Sequence, residues 1–207
     1  MELNVTQFVT LDGVVQSPGA AREDPEGGFG RGGWVVPHFD EDAGAAIDAW
    51  FSSASAFLFG RKTYEVFAEH WPHVTDADDH VAARLNGLPK YVASTTLVRV
   101  DWQHARLLDG DVSERVAELK RDGDGELQVH GSGALTHSLL AAGLVDEFRL
   151  IVFPVVVGGG GKRLFPDGGA PAALRLTDAR TTSTGAAIHT YRVVGEPTYG
   201  DVGEPGA

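Results

Sequence analysis

The pattern of apolar and polar positions changes repeatedly between strand-like and helix-like periods along this chain. Residues 3–10 alternate roughly with a period of two, which is typical of a strand. Residues 40–54 place their apolar side chains on one stripe of a helix, with Asp40 in the N-cap position. Strand-like and helix-like segments continue in turn at residues 56–59, 64–71, 79–85, 91–93 and 111–121. This alternation predicts helices that connect the strands of one sheet.

The clearest unit of this kind lies in the second half of the chain. A short apolar run at residues 127–130 stops at Gly131, and a helical pattern then continues to Gly143. Residues 148–157 follow and are almost wholly apolar, which is typical of a strand that is buried on both faces of a parallel sheet. The segment therefore predicts a strand, a glycine turn, a helix and a second strand.

The end of the chain predicts two antiparallel strands and a tail. The β-like runs 173–183 and 187–194 are separated by Thr184-Gly185, a typical hairpin turn. The sequence thus predicts an α/β domain over residues 1–194, with three α-β-α layers and a mostly parallel mixed sheet with antiparallel C-terminal strands. Residues 195–207 are rich in glycine, proline and acidic residues, which predicts a flexible tail.

Three predicted strands end in glycine or hydroxyl turns. These turns begin at Gly60, Ser94 and Gly131, and the carboxyl ends of parallel strands are where open α/β sheets bind their ligands. A glycine at a helix start lets a phosphate approach free backbone N–H groups, and neighbouring Arg and Thr side chains suit a phosphate too. The alternative is that each turn needs its glycine or hydroxyl only for its own geometry. A phosphorylated cofactor is the favoured hypothesis.

A glycine-dense segment at residues 13–33 has neither a helical nor a strand period. A loop of this length inside a compact domain is more often functional than incidental. It is either a mobile lid over the predicted ligand site or an insertion outside it. We favour the lid, and both interpretations stay open from the sequence.

Composition and charge narrow the classes of function. The net charge of −12 argues against non-specific nucleic-acid binding, although a few local cations suffice for an anionic cofactor. The absence of cysteine excludes disulfides, thiolate metal sites and thiol catalysis. His70 and His73 have no third ligand at metal spacing, so we expect no metal site. Because the sequence shows neither a membrane-length apolar run nor a signal-peptide pattern, we expect a cytoplasmic protein.

Four segments of the sequence together resemble a known family. They are TLDG at residues 10–13, GRKTYE at 60–65, KYVASTTL at 90–97 and VHGSGALTHSLLAAGLVDEFRLIVFPVVVGGGGKRLF at 129–165. In this order they resemble the dihydrofolate-reductase-like family, in its branch related to the C-terminal reductase domain of the bifunctional riboflavin biosynthesis deaminase–reductase. The resemblance covers most of residues 2–194 and implies a dihydrofolate-reductase-like fold that binds NADPH.

The resemblance also implies which residues bind the cofactor. The phosphates would be held by the turn after Gly60, which consists of Arg61, Lys62 and Thr63. The adenosine 2′-phosphate would lie near Ser94, Thr95 and Thr96. The pyrophosphate and nicotinamide would lie along Gly131, Ser132, Gly133 and Ala134. The nicotinamide and substrate would meet at Thr10, Leu11, Asp12 and Gly13.

Two carboxylates are candidates for a catalytic acid. Folate reductases place a carboxylate at the start of their first helix, and Asp40 stands near that point here. The tryptophan–leucine–proline pattern that surrounds it in those enzymes is missing. A plain N-cap is the alternative for Asp40, and a turn-forming aspartate is the alternative for Asp12, the second candidate.

The resemblance predicts an NADPH-dependent reductase of a small pterin- or pyrimidine-like substrate. The missing pattern disfavours dihydrofolate, and the ribosylaminopyrimidine of riboflavin biosynthesis is the other candidate substrate. Because the chain lacks cysteine, any deaminase would have to be a separate protein. The alternative is a non-catalytic nucleotide-binding module that keeps the fold. A homodimer is expected from the resemblance and from the apolar content of residues 148–157.

Overall fold

The computed structural model describes residues 1–76 and 78–203, which form one sheet with helices on both faces. The strands are β1 (Glu2–Thr10), β2 (Ala54–Gly60), β3 (Lys90–Ala93), β4 (Ala105–Leu107), β5 (Glu126–His130), β6 (Glu147–Phe153), β7 (Ala173–Thr181) and β8 (Ala187–Gly195). The helices are α1 (Glu41–Ser53), α2 (Arg61–His70), α3 (His80–Gly87), α4 (Val112–Asp122) and α5 (Gly133–Ala141). Short 3-10 turns lie at Glu26–Gly28, Val36–His38 and Trp71–His73.

The eight described strands form a sheet in the order β4-β3-β2-β5-β1-β6-β8-β7. The strands from β4 to β6 pair in parallel, while β8 is antiparallel to both β6 and β7. Parallel neighbours need crossover connections, and helices provide most of them here. This arrangement confirms the predicted α/β fold with antiparallel C-terminal strands.

The core lies in two layers because side chains alternate between the faces of each strand. On one face, Val5 of β1 and Leu58 of β2 share a cluster with Val116 of α4 and Leu139 of α5. On the other face, α1 packs through two clusters, one around β6 and β8 and one around β2, α2, α3 and β3. Burial on both faces of the central strands confirms the three layers.

Several boundaries differ from the sequence prediction. Strand β6 ends at Phe153, not at residue 157, because Pro154 has no N–H to donate to a sheet ladder. It pairs with both β1 and β8, so its apolar content reflects an interior position. That content is therefore not an argument for a dimer. The three-residue strand β4 was not predicted, and helix α2 begins at Arg61, three residues earlier than expected.

In the part of the chain that the structure describes, no helix is both long enough and apolar enough to cross a membrane. The end of the predicted tail, residues 204–207, lies outside the described residues.

Candidate functional site

The predicted ligand turns lie side by side at one edge of the sheet. Strands β3, β2, β5 and β1 are consecutive neighbours, and each ends at this edge. Their ends carry Ser94, Gly60, Gly131 and Leu11, one residue from each group that the sequence singled out. The structure therefore brings the four groups to one edge, as expected from parallel strands.

The turns after β2 and β5 are joined directly to each other. The backbone N–H of Gly60 donates to Ser132 Oγ at 2.9 Å, and the N–H of Ser132 donates to Thr63 Oγ1 at 3.1 Å. Gly131 has a φ of 58°, and a Cβ there would stand 3.1 Å from Thr63 Oγ1. Ser132 also has a positive φ, 55°, which costs a non-glycine residue on the order of 1 kcal/mol. The positive φ of Gly131 and the close contact with Thr63 therefore require glycine at this position even without a ligand.

The two helices that begin at this edge differ from the other three in their capping. Helices α1, α3 and α4 are capped by Asp40, Asp79 and Asp111, whose carboxylates accept backbone N–H groups at 2.8 to 3.0 Å. Helix α2 follows Gly60 and α5 follows Ser132, and neither of these N-cap residues caps its helix with its own side chain, although their own N–H groups are bound by Ser132 Oγ and Thr63 Oγ1. The first N–H groups of an uncapped helix attract anions. Two such helix starts lie on the neighbouring strands β2 and β5.

The cations of the α2 turn are engaged with carboxylates. Arg61 forms an exposed ion pair with Glu65 at 3.2 Å. Lys62 pairs with both Asp24 and Glu26, and the hydrogen bond with Glu26 is the main cause that raises the pKa of Lys62. Lys162 binds the same two carboxylates. Sequence analysis missed the acidic pair and Lys162, although Lys162 directly follows the four-glycine run.

The hydroxyl cluster after β3 forms a local turn. Ser94 Oγ accepts hydrogen bonds from the backbone N–H groups of Thr96 at 3.2 Å and Leu97 at 3.0 Å. Thr95 and Thr96 are exposed at the edge of the sheet. Ser94 therefore stabilises this turn, and contact of the cluster with a 2′-phosphate stays a prediction.

Asp12 fixes the turn after β1 to the segment after β6. Its Oδ1 accepts from Thr10 Oγ1 at 2.6 Å, and its Oδ2 accepts from the N–H of Gly158 at 2.8 Å. The hydrogen bond from Thr10 is the main cause that lowers the pKa of Asp12. A general acid at neutral pH needs a raised pKa, so these contacts favour the turn-forming role. A catalytic role for Asp12 stays a prediction.

Asp40 is the N-cap of α1 and also a link to the C-terminal hairpin. Its Oδ1 accepts from the N–H of Ala43 at 3.0 Å, while Oδ2 accepts from Ser183 Oγ and the N–H of Thr184, each at 2.9 Å. Burial alone would raise the pKa of Asp40, but these hydrogen bonds outweigh it and hold the pKa well below its usual range. The contacts favour the structural interpretation here too, and the catalytic assignment is untested.

The glycine-dense segment packs against the site. Val14 pairs with Arg163 in an isolated antiparallel bridge, and Val14 and Phe29 are buried. A Cβ on Gly161 would stand 2.6 Å from Val14 Cγ1, so the four-glycine run permits this close packing. The indole N–H of Trp34 donates to the carbonyl of Gln16 at 2.9 Å. Residues 14–33 thus lie between the turn after β1 and the start of α2.

His130 is a buried wall residue next to the glycine turn. Its ring stacks on Phe51 with centroids 4.2 Å apart, and Nε2 lies 3.0 Å from Gln128 Oε1. Burial, helped by the charge of Arg149, lowers the pKa of His130 to about 3, so the ring is neutral at physiological pH. A neutral, stacked imidazole does not shuttle protons readily. Over the described residues, no group of three or more metal-ligating side chains is arranged to hold a metal ion.

The order of the strands and the turns at their carboxyl ends define an α/β protein with a dihydrofolate-reductase-like sheet. A family model described as the RibD C-terminal domain matches residues 2–190. The chain belongs to this RibD C-terminal domain family, which confirms the resemblance seen in the sequence.

Known proteins similar to the chain include an uncharacterized relative and solved structures that share its fold. This chain is 30% identical over 185 residues to the uncharacterized protein YyaP of Bacillus subtilis. The match covers 88% of this chain and 90% of that protein. A putative riboflavin biosynthesis protein from Shewanella shares the fold with a TM-score of 0.71 at 21% identity, over 94% of this chain and 99% of that one. The deaminase/reductase of Thermotoga maritima has a TM-score of 0.60 at 14% identity, over 93% of this chain and 56% of that one.

Proposed function

We propose that this protein is an NADPH-dependent reductase of a small pterin- or pyrimidine-like substrate. The observation that supports it most is the pair of uncapped helix starts, α2 and α5, on adjacent strand ends. Helix starts of this kind bind phosphate groups, and here the hydrogen bond from Gly60 to Ser132 holds them next to each other. Membership of the RibD C-terminal domain family supports the reductase class.

The residues at this edge fit a phosphorylated dinucleotide. Gly133 opens helix α5, and Thr63 Oγ1 accepts from the N–H of Ser132, while within the described residues the hydroxyl hydrogen of Thr63 has no acceptor and can donate to a ligand. In this proposal Arg61, Lys62 and Thr63 hold phosphates, Ser94, Thr95 and Thr96 contact the 2′-phosphate, and Gly131, Ser132, Gly133 and Ala134 line the pyrophosphate and nicotinamide. NADPH, when bound, supplies the hydride.

The substrate would bind beside the turn after β1. Leu11 is 65% exposed and Val156 is 68% exposed, at the ends of β1 and β6. The N–H of Leu11 donates to the carbonyl of Val155 at 2.9 Å, which keeps the two segments together. Their apolar side chains can cover one face of a flat ring and exclude water from it. Because Asp12 and Asp40 are held ionised by hydrogen bonds, we infer that water supplies any proton that the substrate takes up.

The substrate class is a pyrimidine, in line with the relatives. The Thermotoga maritima protein is described as a diaminohydroxyphosphoribosylaminopyrimidine deaminase/5-amino-6-(5-phosphoribosylamino)uracil reductase. We propose a phosphoribosylaminopyrimidine of that kind as the substrate and dihydrofolate as the less favoured one.

The test is a titration followed by an oxidation assay. Trp34 packs on the glycine-dense segment, so its fluorescence should change when NADPH binds. The complex is then mixed with the phosphoribosylaminouracil and with dihydrofolate while the absorbance of the reduced nicotinamide is followed. Loss of that absorbance with the pyrimidine is the expected result. Failure of NADPH to bind would refute the proposal.

A non-catalytic nucleotide-binding module is the second candidate. The observation that favours it is that both candidate acids serve as structural hydrogen-bond acceptors. Such a module would bind NADPH but would oxidise it with neither substrate. The same experiment therefore separates the two functions.

A further inference from the structure

Two lysines and two carboxylates meet at the start of α2. Lys62 Nζ donates to Asp24 Oδ1 at 3.1 Å and also to Glu26 Oε2. Lys162 Nζ donates to Asp24 Oδ2 and to the same Glu26 oxygen. The four pairs join three separate parts of the chain: the glycine-dense segment, helix α2 and the residue after the four-glycine run. Their residues are far apart in sequence, so the fold alone brings them together.

The backbone on both sides of this cluster is held in place. The N–H of Lys162 donates to Gln16 Oε1 at 3.0 Å, and its carbonyl accepts from the N–H of Val15 at 2.9 Å. The carbonyl of Asp24 accepts from Gln16 Nε2 at 2.8 Å, and its N–H donates to Ser17 Oγ at 2.7 Å. These hydrogen bonds fix the backbone positions of Lys162 and Asp24, so their charged groups lie close together in a defined geometry, as a specific contact requires.

We propose that Lys162 is a second phosphate-binding cation beside Lys62, and that the carboxylates of Asp24 and Glu26 are an internal anion. These carboxylates occupy both lysines until a phosphate group displaces them. The proposal rests on the proposed function, because it takes the start of α2 as the phosphate site. It adds Lys162 as a residue that binds the ligand. It also adds the ion pairs of Asp24 and Glu26, which must break before the ligand binds.

The charges and exposure of the cluster suit such an exchange. Hydrogen bonds from Lys162 and Lys62 lower the pKa of Glu26, so the carboxylate stays charged at neutral pH. The side chains of Lys62 and Lys162 are 44% and 43% exposed, so a ligand can reach them from solvent. Exposed ion pairs are individually weak and can be replaced by a more highly charged anion. A phosphate would gain the same two cations and also the uncapped start of α2.

The internal anion should lower the apparent affinity for phosphates. A ligand that binds only the open state loses affinity in proportion to the fraction of molecules that are open. Neutralising the two carboxylates removes this competition. If the ion pairs only tether the glycine-dense segment to α2, their loss would loosen the segment but would not improve phosphate binding.

The experiment compares Asp24→Asn/Glu26→Gln with the wild type and with the control Glu23→Gln. Glu23 lies in the same segment, and within the described residues it accepts only from the N–H groups of Gly19 and Ala20. Binding of inorganic pyrophosphate is measured by calorimetry on the full chain. We expect the double variant to bind pyrophosphate roughly five- to tenfold more tightly than the wild type. This change in affinity corresponds to the free energy of a few weak ion pairs. The control should bind pyrophosphate as tightly as the wild type.

A second variant tests the lysine directly. Lys162→Met in the Asp24→Asn/Glu26→Gln background should weaken pyrophosphate binding by about tenfold, because one charge-assisted contact is lost. Thermal unfolding of each variant checks that it is folded, and the single substitutions Asp24→Asn and Glu26→Gln replace the double variant if it is not. Hydrogen exchange of residues 14–33 should be faster in the acid variants than in Glu23→Gln.

The outcomes separate this proposal from the proposed function. Pyrophosphate affinity that is equal in the wild type and the acid variants, or absent in all of them, overturns the internal anion. An unchanged affinity after Lys162→Met overturns the role of Lys162. If pyrophosphate binding tightens as expected but NADPH binds to no variant, the cluster acts as proposed and the assignment of the cofactor is what fails.

Discussion

Lys90 gives the sharpest prediction about pH and stability. This lysine is fully buried, and its Nζ donates to the carbonyls of Leu85 at 2.6 Å and Leu88 at 2.8 Å, at the C-terminal end of α3. The ammonium also lies 4.6 Å from the centroid of the Trp102 ring. It therefore caps the carbonyls of α3 from inside the core, where its charge is poorly solvated.

The magnitude follows from its shifted pKa. Burial lowers the pKa of Lys90 from 10.5 to about 8, a difference equivalent to about 3 kcal/mol. Below pH 8 both the folded and the unfolded chain hold the proton, so the charge is buried at its full cost. Between about pH 8 and pH 10.5 the unfolded chain binds more protons, so the free energy of unfolding rises with pH. From pH 7 to pH 10 the expected gain from Lys90 is on the order of 2 kcal/mol.

The perturbation is Lys90→Met, which keeps the length of the side chain and removes the titrating group. Urea unfolding of the wild type and the variant is measured at pH 7 and pH 10. Other groups titrate in both proteins, so the difference between the two pH dependences isolates Lys90. We expect the wild type to gain about 2 kcal/mol relative to Lys90→Met over this range. Equal pH dependence in the two proteins would refute the reasoning.

The remaining predictions concern the site and the assembly. NADPH should bind more tightly than NADH, and Arg61→Ala should weaken NADPH binding by roughly tenfold in a fluorescence titration; equal affinity for the two cofactors contradicts the 2′-phosphate assignment. Replacing residues 20–30 by a short Gly-Ser linker should reduce turnover without weakening NADPH binding, because the linker also removes the competing carboxylates of Asp24 and Glu26; wild-type turnover would make the segment an insertion. Ser132→Ala should lower the free energy of unfolding by about 1 kcal/mol in urea, since the N–H of Gly60 loses its acceptor; Ser138→Ala, which removes an exposed hydroxyl from the same helix, is the control. A homodimer, proposed from the family resemblance, should sediment as such at tens of micromolar, and a monomer there counts against it.

Local patterns in the sequence determined most of the elements of this fold. The N-caps Asp40, Asp79 and Asp111, the alternation in β1 and the turn at Gly185 are short-range signals, because each acts through residues only a few positions away. The glycine and hydroxyl turns are likewise visible in the sequence. Because parallel strands end at one edge of a sheet, the predicted, mostly parallel sheet of an α/β fold is enough to expect these turns together.

Tertiary structure alone decided how the side chains at that edge are used. The pairing of Lys62 and Lys162 with Asp24 and Glu26 and the contact of Asp12 with Gly158 join residues that are distant in sequence. No local period reports such contacts, because they depend on the order of the strands and on how the glycine-dense segment packs. The sequence does not show that β6 lies in the interior of the sheet, for the same reason. An apolar strand has the same sequence pattern whether a neighbouring strand of its own sheet or another molecule covers it.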